Sequence, residues 1–219
     1  MATVTVIVAL VSFLLGSIPF GYLLVRIFRG QDIRKTGSGN IGATNVARTG
    51  SKGLAIATLL LDALKGYAAV TFAQWVPNHV AITISSNTHA SLAVVSPALS
   101  YFLAAVAGLF VILGHMFTPW LRFKGGKGVA AAVGVFAAIA PRALLISLAL
   151  FIVLVAITRY VSLGSIVSAA IFPFAVYWLY PAIRSVTVMC LITLSALLII
   201  VRHRANIGRL LAGNENRLW

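Results

Sequence analysis

The segment Phe123-Lys124-Gly125-Gly126-Lys127-Gly128-Val129, called the glycine loop below, interrupts an otherwise apolar chain. Glycines permit tight turns and let backbone N–H groups approach a ligand closely. Successive N–H groups that point the same way form a concave anion site, and the N-terminus of a following helix adds positive potential. Because two lysines supply further positive charge, we interpret the glycine loop as a phosphate-holding loop at a membrane face.

Two other interpretations of the glycine loop compete with this one. A nucleotide-binding Walker loop is disfavoured, because Lys127 is followed by Gly128 rather than by Ser or Thr and no strand precedes the loop. The other alternative is a flexible cytoplasmic loop whose lysines only reflect the enrichment of Lys and Arg on that side of a membrane. The loop alone does not decide between this alternative and phosphate binding.

The composition of the whole chain is that of an integral membrane protein. Of its 219 residues, 61% are hydrophobic and only 9% are charged, and the mean hydropathy is +1.04. The apolar segments are long and nearly continuous, whereas the strands of a membrane barrel alternate in pieces of ~10 residues. We therefore predict an all-α polytopic membrane protein that forms a single domain over residues 1–219.

The charge balance narrows the chemistry. A net charge of +14 arises from 17 Lys and Arg residues against three carboxylates, Asp32, Asp62 and Glu215. Three carboxylates exclude paired-carboxylate hydrolysis and argue against a carboxylate-rich metal site, so we expect no metal and no cofactor. The positive charge suits anionic lipid headgroups or an anionic substrate rather than nucleic acid. The single cysteine, Cys190, excludes an intrachain disulfide.

The order of apolar and basic segments predicts the topology. Seven apolar segments follow one another: Val4–Val25, Gly53–Val76, Ala98–Phe117, Val129–Ala140, Ala143–Thr158, Ser165–Tyr180 and Val186–Val201. The positions of the Lys and Arg residues between them predict seven crossings, with the N-terminus outside and the C-terminus inside. The last four segments are at or below the spanning length of about 17–25 residues, so a five-crossing arrangement stays open as an alternative.

One polar segment, Pro77–Pro97, contains no Lys or Arg and is predicted to be an external loop. Its two histidines, His79 and His89, are expected to take no part in function. Asp62 and Lys65 lie three residues apart inside an apolar segment, where unpaired charges would be costly, so we predict a structural ion pair. His115, near the end of its segment, is also expected to be structural.

The predicted topology gathers four polar segments at the cytoplasmic face: Ser38–Arg48, the glycine loop, a turn at Val161–Gly164 and the tail from Arg202. The first is interpreted as a Gly/Ser turn that runs into a helix capped by Ser38 or Asn40. The helix would place Asn40, Thr44 and Arg48 on one face, and the Arg48 guanidinium fits a phosphate group. An ordinary cap at Ser38 and an interfacial anchor at Arg48 are the alternatives.

The tail holds the remaining polar candidates. His203 and Asn206 lie three residues apart, at the end of the last apolar segment. A histidine beside arginines tends to be neutral, and a neutral imidazole can accept a proton. The alternative is a basic tail that contacts lipid headgroups.

Three motifs in a fixed order give the chain a family resemblance. They are Ser38-Gly39-Asn40-x-Gly42-Ala43-Thr44-Asn45-Val46-x-Arg48, Gly114-His115-x-Phe117 with the glycine loop, and His203-x-x-Asn206-Ile207-x-Arg209-Leu210-x-x-Gly213-x-Glu215. Together they resemble the bacterial acyl-phosphate:glycerol-3-phosphate acyltransferases of the PlsY type. The resemblance covers essentially the whole chain, including Asp62–Gly66 and Val161–Gly164. The segment Pro77–Pro97 resembles an insertion relative to compact members of this family.

The resemblance implies an enzyme that transfers a fatty acyl group from acyl-phosphate to the 1-hydroxyl of sn-glycerol 3-phosphate, giving lysophosphatidate. It implies a multi-pass protein of the bacterial plasma (inner) membrane whose site faces the cytoplasm, and we expect the monomer to be functional. The catalytic residues by resemblance and chemistry are Ser38, Arg48, Lys127 and His203. The expected substrate-binding residues are Asn40, Asn45, Gly125, Gly126, Gly128, Ser162, Asn206 and Glu215, with Glu215 also an acceptor that orders the tail.

The chemistry of the implied reaction agrees with these residue types. Acyl-phosphate is a mixed anhydride with a good leaving group, so direct attack by the hydroxyl needs no acyl-enzyme. We expect Arg48, Lys127 and Ser38 to bind phosphate or the oxyanion. Either His203 or a substrate phosphate takes the proton, and the sequence slightly favours the phosphate because it offers no group that would orient His203.

Two functions of other classes compete with this one. A transporter of anionic lipid or phosphate would also use anion sites at helix ends. However, only Asp62 and Lys65 are charged within the apolar interior, so few groups could bind a substrate midway during alternating access. A structural subunit would not explain three motifs that contain glycine and basic residues on one side of the membrane.

Overall fold

The chain is helical throughout the part that the structure, a computed structural model, describes, namely residues 1–88 and 96–218. No strand occurs in these residues, which confirms the predicted all-α class. The helices are α1 (Ala2–Ser17), α2 (Phe20–Arg29), α3 (Ala43–Ala47), α4 (Lys52–Thr88), α5 (Pro97–Met116), α6 (Val129–Ile139), α7 (Pro141–Thr158), α8 (Val161–Leu179), α9 (Val186–Arg202) and α10 (Arg204–Leu211).

All seven predicted apolar segments are helical, but fewer are long enough to cross a membrane. Among the described residues, five spans satisfy length and composition, or six if α9 and α10, which meet at 55°, count as one. Helix α6 has only 11 residues and is too short by itself. By this criterion five or six helices could cross a membrane, fewer than the predicted seven, and both the number of crossings and the orientation stay predictions.

Two predicted turns are helical in the structure. Helix α4 continues to Thr88, so the first part of the predicted external loop Pro77–Pro97 is helical and the predicted loop is wrong there. Residues 89–95 of that loop, with His89, lie outside the described residues. Polar residues extend a helix once it has formed, because each adds a hydrogen bond without a new nucleus. The predicted turn Val161–Gly164 is the first turn of α8.

The contacts within the chain define two compact units, Met1–Ile139 and Ala140–Trp219, which are described separately. The single domain over residues 1–219 stays a prediction. In the first unit, α1 packs on α5 and α4 packs on both α5 and α6. Helices α4 and α6 can approach closely because Gly66 and Gly134 have no side chains. A side chain at either position would collide with the backbone of the other helix. Small residues are what allow such packing in a membrane, where burial of apolar surface gives no driving force.

The second unit is built on α8, which packs against α7 and α9. The Ser168 hydroxyl donates to the Ser147 carbonyl at 2.8 Å and links α8 to α7. At the end of the chain, the Leu218 N–H donates to the Arg159 carbonyl at 2.9 Å. The tail after α10 is therefore fastened to the start of α8, and this places Glu215 beside Ser162.

Candidate functional site

The first motif is held in shape by the buried amide of Asn45. Its Oδ1 accepts from the Ser38 N–H at 2.9 Å, and its Nδ2 lies 3.2, 2.9 and 2.8 Å from the carbonyls of Ile33, Thr36 and Asn40. One side chain thus replaces the hydrogen bonds that secondary structure would otherwise supply. Asn45, predicted to bind substrate, is engaged here in shaping the loop that presents Ser38.

The helix cap predicted in this motif is wrong in position. Helix α3 begins at Ala43, its N-cap is Gly42, and no side chain caps it, so neither Ser38 nor Asn40 does so. Instead Asn40 Oδ1 accepts from the Gly42 N–H at 2.9 Å, a local turn typical of asparagine. Because Asn40 precedes the helix, only Thr44 and Arg48 share the predicted helical face.

Ser38 and Arg48, both exposed, belong to one local structure. Gly37 has a positive φ of 57°, and a side chain there would collide with Asn45 Oδ1 and lie 3.4 Å from Arg48 Cδ. The arginine stem therefore lies along the turn that carries Ser38. A hydroxyl and a guanidinium on adjacent backbone are suited to contact one phosphate or acyl group.

Packing also joins the first motif to the glycine loop. Ile33, Ile41 and Val46 from the first motif region form a buried cluster with Val25, Ala55 and Leu121. Leu121 precedes the glycine loop by two residues. The first unit therefore holds these two motifs together, and the gathering of all four polar segments around one site stays a prediction.

The N–H groups of Gly125 and Gly126 have a structural use that the sequence did not reveal. The Gly125 N–H donates to the Met116 carbonyl at 3.1 Å and the Gly126 N–H to the His115 carbonyl at 2.9 Å, so the loop caps the C-terminus of α5. The predicted concave anion site therefore cannot use these two donors. Anion binding would fall to Lys127 and to the N-terminus of α6, where the first N–H groups of a helix lack partners within it.

Gly126 also contacts the ring of His115. A side chain at Gly126 would collide with His115 Nε2, and one at Gly125 would collide with the His115 carbonyl. Both glycines, predicted to bind substrate, are required by this close approach whatever else they do. The position of Lys127 thus depends on the position of His115.

His115 belongs to a buried charged cluster. Lys65 Nζ lies 2.7 Å from Asp62 Oδ1, 2.8 Å from the Ile18 carbonyl and 3.0 Å from His115 Nδ1. The predicted Asp62–Lys65 ion pair is confirmed, and these side chains are at most 4% exposed. His115 Nδ1 also lies 3.5 Å from Asp62 Oδ1, so the ring faces both members of the ion pair while its Nε2 edge faces the glycine loop.

In the second unit, His203 separates α9 from α10 and is 2% exposed. Its Nδ1 lies 2.7 Å from the Ile199 carbonyl. A carbonyl can only accept, so Nδ1 carries a proton and donates to it, and this contact fixes the orientation of the ring. The sequence offered no group that orients His203, and the structure identifies one. A backbone carbonyl has no signature in sequence, which is why it was missed.

Glu215 accepts hydrogen bonds from three other polar residues of this unit. Its Oε1 accepts from Ser162 Oγ at 2.9 Å and from Asn206 Nδ2 at 2.6 Å, and its Oε2 accepts from Arg209 Nε at 2.7 Å. Burial by itself raises the pKa of Glu215, but these hydrogen bonds and the Arg209 charge outweigh it and hold the pKa below 4.5. Glu215 acts here as the predicted tail-ordering acceptor, and Ser162 and Asn206 are its donors.

The candidate residues thus form two sets. The first unit holds Ser38, Asn40, Asn45, Arg48, Gly125, Gly126, Lys127 and Gly128, and the second holds Ser162, His203, Asn206 and Glu215. Arg209 was missed as a candidate, although its spacing from Glu215 in the third motif was a usable signal. Among the described residues, no group of three or more His, Cys, Asp or Glu side chains is arranged to hold a metal ion.

Comparisons with known proteins agree with the resemblance found in the sequence. The family model described as glycerol-3-phosphate acyltransferase matches residues 6–213. The glycerol-3-phosphate acyltransferase of Geobacter sulfurreducens is 47% identical over 212 residues, 96% of each chain. That of Mesorhizobium japonicum is 44% identical over 217 residues, 99% of this chain and 97% of the relative.

Solved structures give the same result for the fold. The chain is similar to a crystal structure of PlsY (YgiH), an integral membrane glycerol 3-phosphate acyltransferase, in its glycerol 3-phosphate form. The TM-score is 0.77 at 36% identity, and the match covers 97% of this chain and 94% of that one. The lysophosphatidic acid form of PlsY matches with a TM-score of 0.74 at 35% identity and the same coverage.

Removal of one partner of the buried pair should be far more damaging than removal of both. We expect Lys65→Met to lower the free energy of unfolding by about 3–5 kcal/mol, because it leaves the Asp62 carboxylate buried without a counter-ion. Asp62→Leu combined with Lys65→Met should recover much of this loss. Denaturant unfolding in detergent measures both, and Arg29→Met, at an exposed arginine, is the control. A double variant as unstable as Lys65→Met would contradict the assignment.

The stabilisation that Glu215 gives to the tail should be lost in acid. Because the pKa of Glu215 lies below 4.5 in the folded protein, the stability that its ionised form contributes is present above 4.5 and is lost as the pH falls through the folded value. The difference in Tm between the wild type and Glu215→Gln should therefore be constant from about pH 5 to 8 and shrink below 4.5. A difference that is unchanged at low pH would show that the charge of Glu215 contributes nothing.

Proposed function

This chain belongs to the glycerol-3-phosphate acyltransferase family, and we propose that it transfers a fatty acyl group from acyl-phosphate to the 1-hydroxyl of sn-glycerol 3-phosphate. The products are lysophosphatidate and inorganic phosphate. The observation that carries the proposal is the family match over residues 6–213, which includes the first motif, the glycine loop, His203 and Asn206. The reaction would occur in the bacterial plasma membrane, at a site that faces the cytoplasm, with the monomer as the working unit.

The charge of the protein supports substrates of this class. Both carry phosphate, and the candidate site residues include Arg48 and Lys127 but only one carboxylate, Glu215, which its neighbours already engage. Positive potential raises the local concentration of anionic substrates and stabilises charge that develops on an oxyanion. The small neutral residues of the two loops would let both phosphates approach the backbone.

We assign roles within this reaction as follows. Arg48 and Ser38 would bind the acyl-phosphate, because the arginine stem lies along the turn that carries the serine. Lys127 and Gly128, at the N-terminus of α6, would bind a phosphate group, supported by Gly125 and Gly126. Asn40 and Asn45 would shape the first motif for this contact. Asn206 would contact glycerol 3-phosphate, with Ser162 and Glu215 ordering it.

The bond changes need no acyl-enzyme. The acceptor hydroxyl oxygen attacks the acyl carbonyl carbon, the C–O bond to phosphate breaks, and the electron pair leaves with phosphate. We propose that His203 Nε2 accepts the hydroxyl hydrogen bond and orients the nucleophile, while the departing phosphate takes the proton. A backbone carbonyl on Nδ1 stabilises an imidazolium less than a carboxylate would, so His203 is a weak base but a well-oriented acceptor.

Phosphate release tests the donor and the acceptor together. Purified protein in mild detergent should release phosphate from palmitoyl-phosphate only when glycerol 3-phosphate is present. Lys127→Ala and Arg48→Ala should each lower kcat/KM by at least ~100-fold, because each removes a positive charge that would stabilise the oxyanion or the phosphate. Arg29→Ala, which changes an exposed arginine at the end of α2, is the matched control.

The outcomes of this assay separate the possible errors. Product formed from palmitoyl-CoA or an acyl-carrier protein, without any from palmitoyl-phosphate, would make the proposed donor wrong. Nearly full kcat in Arg48→Ala would make its assigned role wrong. If no donor reacts in detergent, uptake of anionic lipid into sealed vesicles would test the transporter alternative.

The pH profile tests the role of His203. If His203 orients the hydroxyl, His203→Gln should keep part of the activity, and the dependence of kcat on pH should keep its shape. If His203 is the base, the same variant should lose about 10²–10⁴-fold in kcat together with any titration near pH 6.5. Thermal unfolding of each variant checks that loss of the contact with Ile199 has not unfolded the tail.

A further inference from the structure

The balance of charge in the chain requires partners from outside it. Each of the three side-chain carboxylates is already in an ion pair: Asp32 with Arg34 at 2.6 Å, Asp62 with Lys65 at 2.7 Å, and Glu215 with Arg209 at 2.7 Å. The chain has 17 Lys and Arg residues, so its own carboxylates cannot neutralise them. Anions that approach from lipid or solvent must supply the remaining counter-charge. A cavity lined by several cations is where such an anion would be bound specifically.

The first unit contains such a cavity. It has a volume of about 470 Å³ and is lined by Tyr22, Arg34, Trp120, Leu121, Arg122 and Lys124. Three of these six residues are cations and none is a carboxylate. None of them is among the residues assigned to the acyl transfer above. We call it the basic cavity.

One cation of the basic cavity is held in a fixed position. Arg34 Nε lies 2.9 Å from Asp32 Oδ1 and Arg34 Nη2 lies 2.6 Å from Asp32 Oδ2, and its guanidinium lies 5.0 Å from the centre of the Tyr22 ring. The hydrogen bond from Arg34 lowers the pKa of Asp32 to about 2, so the pair persists at neutral pH. A guanidinium fixed on both sides loses little entropy when it binds an anion.

A second cation of the cavity, Arg122, lies on a strained backbone, and Lys124 follows two residues later. Arg122 and Phe123 have positive φ values of 55° and 60°, in the left-handed region that residues with a Cβ rarely adopt. They are held there because their N–H groups donate to the carbonyls of Pro119 at 3.1 Å and Thr118 at 2.9 Å. Arg122 is the C-cap of the turn Pro119–Leu121, and this conformation, which costs about 1–3 kcal/mol per residue, fixes the direction in which its side chain leaves the backbone. A flexible loop that only carries positive charge does not need it.

Aromatic rings mark this cavity as a site at a membrane surface. Trp120 is 65% exposed and Phe123 is 61% exposed, although both are large and apolar. The Trp120 indole N–H donates to Ser17 Oγ at 2.8 Å, which fixes the ring. Tryptophan is enriched at the boundary between hydrocarbon and headgroups, where its ring contacts both. A soluble anion would gain nothing from two exposed rings beside its binding site, whereas a lipid would.

We propose that the basic cavity binds the phosphate headgroup of an anionic membrane phospholipid. Arg34, Arg122 and Lys124 contact the headgroup, and Trp120 lies against the glycerol and the upper acyl chain. The cavity selects anionic over zwitterionic lipid, because three cations stand against the single carboxylate of Asp32. Since Lys124 is the second residue of the glycine loop and Arg34 precedes the first motif, a bound lipid would border both loops without occupying the acyl-transfer site.

Quenching of Trp120 fluorescence tests the proposal. The full-length protein is placed in phosphatidylcholine nanodiscs that contain phosphatidylglycerol or phosphatidylcholine brominated near the glycerol end of the acyl chains. The Trp120 signal is obtained by subtraction of Trp120→Phe. Phosphatidylglycerol should quench it at a lower mole fraction than phosphatidylcholine does. In Arg122→Gln with Lys124→Gln, the mole fraction for half-maximal quenching should rise about five-fold for each cation removed.

The controls distinguish this site from general attraction. Arg29→Gln with Lys52→Gln removes two exposed cations that do not line the cavity and should leave the quenching unchanged. Equal losses in both double variants, or equal quenching by the two lipids, would overturn the proposal. Relief of quenching by millimolar inorganic phosphate would assign the cavity to soluble phosphate and overturn the assignment to lipid.

Discussion

The buried contact between Lys65 and Asp62 is the interaction on which the first unit depends. An ammonium group away from water must have acceptors, and those of Lys65 come from α4 itself, from the carbonyl of Ile18 between α1 and α2, and from His115 on α5. One cation thus joins three parts of the chain that packing alone would hold less specifically. Uncompensated charge in this position would cost several kcal/mol, which disfavours any arrangement that separates the pair.

The effect of this cluster reaches the glycine loop. The His115 ring is fixed by Lys65, and Gly126 lies against the ring so closely that no side chain fits between them. The loop N–H groups then cap the end of α5. The glycines therefore serve packing and capping first, and the anion-binding role proposed for this loop rests on Lys127 and the N-terminus of α6. These contacts restrict a loop whose glycines would otherwise allow many backbone conformations.

In the second unit, a carboxylate links elements that are distant in the sequence, as Lys65 does in the first. Glu215, from a tail that has no regular structure of its own, accepts from α8 through Ser162 and from α10 through Asn206 and Arg209. The Ile199 carbonyl orients His203 at the junction of α9 and α10. Both units thus use one buried charged side chain to position residues from elements that are distant in sequence.

The sequence by itself determined the helical class, the Asp62–Lys65 pair and the family, because apolar length, an i, i+3 charge pair in an apolar helix and three ordered motifs are local patterns. It failed at the N-cap of α3, at the start of α8 and at the polar extension of α4, where turn-forming residues are compatible with more than one local structure. Only the tertiary structure decided that Asn45 shapes the first motif, that Gly125 and Gly126 cap α5 and that the Ile199 carbonyl orients His203. These roles depend on backbone groups, which every residue carries, so only the fold selects which of them a side chain meets.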